Sequence, residues 1–493
     1  MRLSVYVLGR DVAALEQAGD FKSVLTYHHQ TAGDDFVSLT MPVRLESYVW
    51  DDQLPPMLQM NLPEGYLLQV LQEQFGPHVG ASPMALLSVI GRNMVGRLQV
   101  AAPGADLNTQ AQPVEVAAVL KGDNSEEAFA ALVRQHAISG VSGVVPKFLD
   151  SQHEKGSAAP GVSPLAMQKK ASVITRRHII KGSSAKLPFV ALNEHLCMQV
   201  ASRVLPTAKT EVSDDGQALV VHRFDMNEHG QPHWAMEDFC ALLGLRPAAK
   251  YDTTWERIAK AVRDHVPGDR RRDTFHQLAQ TLLLTHALRN ADCHAKNIAL
   301  LYTRRADVHL SPIYDMLTTS VYAGFQHNPP GIGFMGKKTW APGKNLLKFI
   351  AATFGIQPKE QQHMVQAISD AVADVGPQVR QAMAQPRRLK TWENACSWPG
   401  PKVCRVCAIN GSTPWAIGLR VRPLRASARH QNKHPTTPGL GYPRCWGSAE
   451  CERTVSRRLP FRRLPSPARH THGAATVSAA AAPSTPGPAL RRR

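Results

Sequence analysis

Apolar and polar positions alternate at the start of the chain. RLSVYVLG, LTYHHQ and DFVSLTMP each read as strands of a small N-terminal sheet. LPPMLQMNLPEGYLLQVLQEQFG then passes through prolines into an amphipathic helix with Glu64 near its start. GRNMVGRLQV, Gly91 to Val100, places two glycines around a turn before a strand, and their spacing matches neither phosphate-binding fingerprint, so it reads as a structural turn. NSEEAFAALVRQHA predicts a helix opened by Asn124 or Ser125 as cap. HIIK predicts a strand ending in Lys181, and LPFVALNEHLCMQVASRVLP a helix with Asn193 and Glu194 on its first turns. ALVVHRFDM reads as a strand. EDFCALLGL and the segments up to Arg289 read as helical, so the region to about residue 385 is a mostly α lobe.

Charge divides the 493 residues in two. The formal net charge is +18, but residues 386–493 carry 20 Lys and Arg against 3 Asp and Glu. The first 385 residues are close to neutral, so DNA binding by phosphate neutralisation is not expected of them. Fourteen of the 36 prolines lie in the same tail, which lacks a sustained apolar period. That composition predicts disorder. The tail reads either as a natural basic extension that binds nucleic acid or as the product of a frame shift near residues 390–400, the abrupt change favouring the second. A nucleic-acid-binding tail predicts DNA affinity that falls steeply with salt and disappears when 386–493 is deleted.

Cys197, Cys240 and Cys293 are scattered without framework spacing, which suits a reducing cytoplasm. Cys404 and Cys407 form one C-x-x-C with no second pair at zinc-finger spacing. No run of about eighteen apolar residues occurs, so a soluble cytoplasmic protein without a membrane span is expected.

The candidate chemistry centres on RNADCHAKN, Arg289 to Asn297, followed by SPIYDMLTT, Ser311 to Thr319. Asp292, Asn297 and Asp315 have the order of a phosphoryl-transfer site. One carboxylate orients the incoming hydroxyl; the amide and the other carboxylate hold Mg²⁺ on nucleotide phosphates. The same residues could instead cap or solvate a loop after the apolar helix QLAQTLLLTHALRN. Upstream, ISGVSGVVPKFLD offers Ser139, Ser142, Gly143 and Lys147 for phosphate contact, or else forms an ordinary turn. Lys181 would reach the α- and β-phosphates and Glu194 would pair with it. The main chain at His222 and Phe224 would suit an adenine edge, in a cleft between two lobes.

Taken in order, LPPMLQMNLPEG, GRNMVGRLQV, SGVSGVVPK, HIIK, Asn193-Glu194, RFDM, EDFCALLG, NADCHAKN and SPIYDMLTT resemble the HipA family of toxin serine/threonine kinases over about residues 1–385. The resemblance implies an α+β, two-lobed kinase-like fold. Its parts would be an N-terminal β-rich subdomain (1–105), a small lobe with a glycine-rich loop (106–245), a helical lobe (246–385) and the basic tail (386–493). It implies ATP and Mg²⁺, with Asp292 as catalytic base, Asn297 and Asp315 as metal ligands, and Lys181 and Lys147 on the phosphates. His222, Phe224 and Asp225 would hold adenine and ribose. It further implies a protein serine as acceptor in the translation machinery, with an aminoacyl-tRNA synthetase for glutamate as the family's type of target. The implied partner is a HipB-like helix-turn-helix antitoxin, through which DNA is bound. The other reading is a catalytically weak scaffold of the same family that binds antitoxin and DNA.

Two departures stand out. The family's loop usually reads Ser-x-Ala/Ser-Gly-x-Gln-x-Lys with an autophosphorylated serine. Here Gly140 takes that serine's place and Val145 the glutamine's, so Ser139 or Ser142 would have to serve. The family's closing helices are replaced after about residue 385 by the basic tail.

Overall fold

Three antiparallel sheets and the helices packed on them form the molecule, in a computed structural model that describes residues 1–384 except 20–21, 52–53, 81, 109–113, 142–171, 323 and 342. The expectations for Ser142, Gly143, Lys147 and the tail at 386–493 lie outside the described residues. All of the described residues belong to one compact unit.

The first sheet contains β1 (Arg2–Val7), β2 (Arg10–Gln17), β3 (Ser23–Tyr27), β4 (Tyr48–Trp50) and β5 (Leu98–Ala101), ordered β4-β3-β2-β1-β5. Its apolar face closes on α1 (Pro56–Gln59) and α3 (Pro83–Ile90) with Leu15, Leu25, Met57 and Leu87 in the core. α2 (Gly65–Val79) lies between α1 and α3 in the chain. The sheet holds two strands more than the alternation predicts, β2 and β4, and one expectation fails: DFVSLTMP is no strand beyond one isolated bridge, Ser38 with Met41. Phe36 to Leu39 and Met41 are all buried, on both faces, and side chains replace a neighbouring strand: the Tyr27 hydroxyl accepts from Val37 N (2.8 Å) and donates to Met41 O (2.7 Å), and Leu39 N donates to Glu237 (3.0 Å). A period of two in the sequence cannot say who supplies the hydrogen bonds.

After α4 (Val116–Lys121) and α5 (Glu126–Val141) come β6 (Ser172–Ile174), β7 (His178–Gly182), α6 (Val190–Ala201), β8 (Thr210–Val212) and β9 (Ala218–His222). The strands form a sheet ordered β6-β7-β9-β8. Ser125 is the side-chain acceptor at the start of α5, whereas Asn124 turns to Val119 O and Asp215. α5 runs on to Val141, so the main chain at Ser139 and Gly140 is helical where a loop is expected. One core joins Val70, Leu71 and Phe75 of α2 and Val89 of α3 to Phe129, Val133, Ile180 and Val220. The N-terminal segment thus divides: its sheet keeps a core of its own, while α2 and part of α3 belong to the small lobe.

The third layer is mostly helical: α7 (Phe239–Leu242), α8 (Trp255–His265), α9 (Gly268–Ala287), α10 (Gly343–Phe354) and α11 (Pro358–Met383). It also holds a sheet ordered β10-β11-β12, with β10 (Ala235–Asp238), β11 (Ala299–Tyr302) and β12 (His309–Leu310). EDFCALLGL is therefore part strand and part helix, because Asp238 ends β10 and its carboxylate accepts from Ala241 N as the cap of α7. Among the described residues, no helix is long and apolar enough to cross a membrane.

Arg97 ties the N-terminal sheet to this layer. Only 2 % exposed, it donates to Phe36 O (2.9 Å), Asp34 O (3.2 Å) and Thr303 O, and lies over the rings of Phe36 and Tyr302. The planar guanidinium sets its N–H groups wide apart in a fixed fork that reaches carbonyls on both sides of the joint, whereas the three donors of a lysine radiate from one compact ammonium. Arg97→Ala would leave those carbonyls buried without donors and lower stability by about 3 kcal/mol. Chemical denaturation measures this, and Arg97→Lys is expected to recover less than half of the loss.

Candidate functional site

The site begins with β7, which carries Lys181 inward beside α6. Lys181 Nζ donates to Glu194 Oε1 (2.6 Å) and to Asp315 Oδ1. Burial by itself would lower the ammonium's pKa, but the charges of Asp315 and Glu194 outweigh it and raise it. Glu194 is 2 % exposed, so its charge depends on that cation. Next to it, Asn193 clamps the second motif: its amide nitrogen donates to Thr318 O (2.8 Å) and its oxygen accepts from Thr318 N (3.1 Å).

The two motif segments are stitched together at the end of α9. The Thr319 hydroxyl donates to Arg289 O (2.9 Å) and accepts from Ala291 N (3.0 Å), while Asn290 Oδ1 accepts from Asp292 N (3.0 Å). Arg289 and Asp315 both have left-handed backbone, φ 54° and 55°. Such conformations cost a non-glycine residue free energy and are held by their surroundings. At Asp315 that backbone presents the carboxylate to Lys181.

Asp292 is 7 % exposed, and its Oδ1 accepts from the Tyr251 hydroxyl (2.6 Å). The Asn297 amide nitrogen donates to Asp292 O (3.0 Å), which fixes the other end of that amide as an acceptor. His294 is buried, its ring edge-on to Tyr251, and its Nδ1 has no partner among the described residues. Burial lowers its pKa to about 4, so the imidazole is neutral near pH 7.

A cavity of about 410 Å³ collects these groups. Lys181, Asp292, Asn297 and Asp315 line it on one side, and His222 and Phe224 on another. The N-terminal segment adds Glu64, Asn93 and Met94 to its lining. The Gly91–Val100 stretch is the structural turn expected of it: a Cβ at Gly91 would stand 2.4 Å from Val100 O, and Gly96 has φ +92°. Its chain nevertheless walls the cavity. Glu64, the N-cap residue of α2, pairs with Lys250 (3.0 Å) and with Lys296. Burial would raise its carboxyl pKa, but the two lysines bring it down to about 2.

Two expected nucleotide contacts already have protein partners. Asp225 is buried and lines the cavity, taking Arg223 Nε (3.0 Å) and Nη2 (2.5 Å) and Gly96 N (2.7 Å), so its carboxylate ties the turn to the strand end. His222 N already donates to Lys209 O (2.8 Å), and its ring pairs with Glu211 (2.6 Å). A base edge would be read by other main-chain groups of this segment. Ser139 is described only as helical main chain.

The residues fit a nucleotide-bound Mg²⁺. No cluster of three or more His, Cys, Asp or Glu suited to a metal occurs among the described residues, but Mg²⁺ commonly takes one or two protein oxygens and completes its shell with phosphate and water. Asp315 and the acceptor end of Asn297 are such a pair. Asn193, Glu64 and Thr319 stand in stretches the sequence marks and Tyr251 does not, but the contacts of all four, and of Lys250 and Lys296 on Glu64, are with neighbours distant in sequence and have no local signal.

Comparison with known proteins now bears on the assignment. Residues 3–101 match the model of the HipA N-terminal domain, and 139–376 that of the HipA-like C-terminal domain. The chain belongs to the HipA family. Among its relatives, "Putative kinase Y4dM" of Sinorhizobium fredii is 23 % identical over 375 residues, covering 72 % of this chain and 87 % of that one. "Putative kinase Y4mE" of the same organism is 32 % identical over 155 residues, 29 % of this chain and 36 % of that one. Among solved structures, the Shewanella oneidensis MR-1 toxin-antitoxin complex of HipA, HipB and operator DNA aligns with a TM-score of 0.56 at 18 % identity, over 82 % of this chain and 96 % of its counterpart. That likeness establishes the fold.

Lys181→Met removes the cation that Glu194 and Asp315 share. It is expected to lower stability by about 3 kcal/mol, and adding Glu194→Gln should return part of that. Urea denaturation of the two single variants and the double variant gives the coupling.

Proposed function

We propose that this chain is an ATP- and Mg²⁺-dependent serine/threonine protein kinase, the toxin of a type II toxin-antitoxin pair. The observation that carries it is the convergence of Lys181, Asp292, Asn297 and Asp315 on one cavity, with Lys181 seated by Glu194. The family membership and the relatives named as kinases support the same reading.

In this reading Asp292 takes the proton of the acceptor hydroxyl as its oxygen bonds to the γ-phosphorus and the bond from that phosphorus to the bridging oxygen breaks, leaving ADP. Bound Mg²⁺ would neutralise charge on the phosphates, held by oxygens of Asp315 and Asn297, and Lys181, kept in place by Glu194, would face the α- and β-phosphates. The N-terminal segment lines part of the cavity with Glu64, Asn93 and Met94. The acceptor is a protein serine, with the translation machinery, an aminoacyl-tRNA synthetase in particular, as the candidate source. The Shewanella HipA occurs with HipB and operator DNA; a HipB-like antitoxin, and DNA through it, are the partners proposed here.

Transfer of the labelled γ-phosphate from MgATP, to the chain itself and to bacterial lysate proteins, tests the proposal. Asp292→Asn and Asp315→Asn should each lower transfer about a thousandfold with the fold intact. Transfer that persists in both variants would contradict the site assignment, and the labelled peptides identify the accepting residue.

A further inference from the structure

An anion entering the cavity meets five cations in its lining: Arg92, Lys181, Arg223, Lys250 and Lys296. Four of them stand beside carboxylates, Lys181 beside Glu194 and Asp315, Arg223 beside Asp225, and Lys250 and Lys296 beside Glu64. Arg92 differs. It forms no ion pair among the described residues, and its Nε is buried without a hydrogen-bond partner. A buried N–H without an acceptor costs free energy, so such a donor in the wall of a cavity suits a ligand that brings the acceptor with it. We propose that Arg92 is a nucleotide-binding residue whose guanidinium donates to phosphate oxygens of ATP. The proposal rests on the kinase reading given above, in which the polyphosphate is the anionic part of the ligand.

The backbone that carries Arg92 is held at three successive residues of the short helical turn Gly91–Asn93, between α3 and β5. Gly91 stands against Val100, where a side chain would clash, and Arg92 O accepts from Gln99 Nε2 (3.1 Å). Asn93 Nδ2 donates to Ile174 O (2.9 Å), which moors the turn to β6. On that strand Ile174 pairs in register with Ile179 and Ser172 with Lys181, so about 7 Å of strand separates the mooring from the lysine. Arg92 and Lys181 therefore line one cavity from different elements, the first from the N-terminal segment and the second from β7. The glycines of this turn lack the spacing of a phosphate loop; its contribution is a side chain. Arginine suits the task, because its planar fork presents parallel N–H groups to a pair of phosphate oxygens.

Titration calorimetry of MgATP and of adenosine into the full chain, with Arg92→Gln and Arg92→Lys alongside, tests the assignment. Arg92→Gln should weaken MgATP about tenfold, the size of one charge-assisted contact, and leave adenosine unchanged. Arg92→Lys keeps the charge and loses the fork, so its affinity for MgATP should fall between the other two. A merely structural role would weaken both ligands together. MgATP bound by Arg92→Gln as tightly as by the unaltered chain, or a loss shared equally by adenosine, would overturn the proposal and leave the kinase reading standing. Absence of MgATP binding by the unaltered chain would overturn that reading, and this proposal with it. Should Arg92→Gln not fold, Arg92→Lys carries the test alone: MgATP weakened with adenosine unchanged supports the contact, and an unchanged affinity for MgATP contradicts it.

Discussion

The ammonium of Lys181, buried between Glu194 and Asp315, is the constraint on which the site depends. Neither the lysine nor the glutamate could be held in so enclosed a place alone, since removing a charge from water is costly unless an opposite one stands beside it. Meeting that requirement joins β7, α6 and the segment after β12. Asn193, one residue from Glu194, fastens the same segment by both ends of its amide, and Thr319 fastens it to the stretch bearing Asp292. Charge balance and backbone hydrogen bonding thus fix the floor of the cavity together.

The N-terminal sheet domain is part of this arrangement and more than an appendage. It meets the rest through polar joints. Arg97 caps carbonyls on both sides, Gly96 N reaches the Asp225 carboxylate, and Glu64 gathers Lys250 and Lys296. A fourth joint is Glu237, wholly buried, which accepts from Ser38, Leu39 N and Tyr302. Joints of this kind are directional, so they fix how the residues of α2 and of Arg92–Val95 meet the rest of the cavity's lining. Apolar contact alone would leave that fit loose.

Much of this was legible in the sequence, for physical reasons. Asp292, Asn297 and Asp315 stand at spacings that a phosphoryl-transfer site demands, and Lys181 and Glu194 follow the strand and helix patterns that carry them. Membership of the HipA family follows the same motifs. What stayed hidden depends on partners far along the chain. Phe36 to Met41 alternates as a strand would, but its hydrogen bonds come from Tyr27 and Glu237. The bonds from Arg223 and Gly96 to Asp225 likewise leave no mark in the local sequence. Tyr251 sits 41 residues from Asp292, and nothing local marks it.

The central claim is that Asp315 leaves Lys181 for a nucleotide-bound cation. Titration of ATP into the full chain with and without Mg²⁺ tests it most directly, with Asp315→Asn measured alongside. The account predicts that Mg²⁺ strengthens ATP binding by at least about tenfold in the unaltered chain and by much less in the variant. ATP that binds equally well with and without Mg²⁺, or a Mg²⁺ effect that survives the substitution, would contradict it.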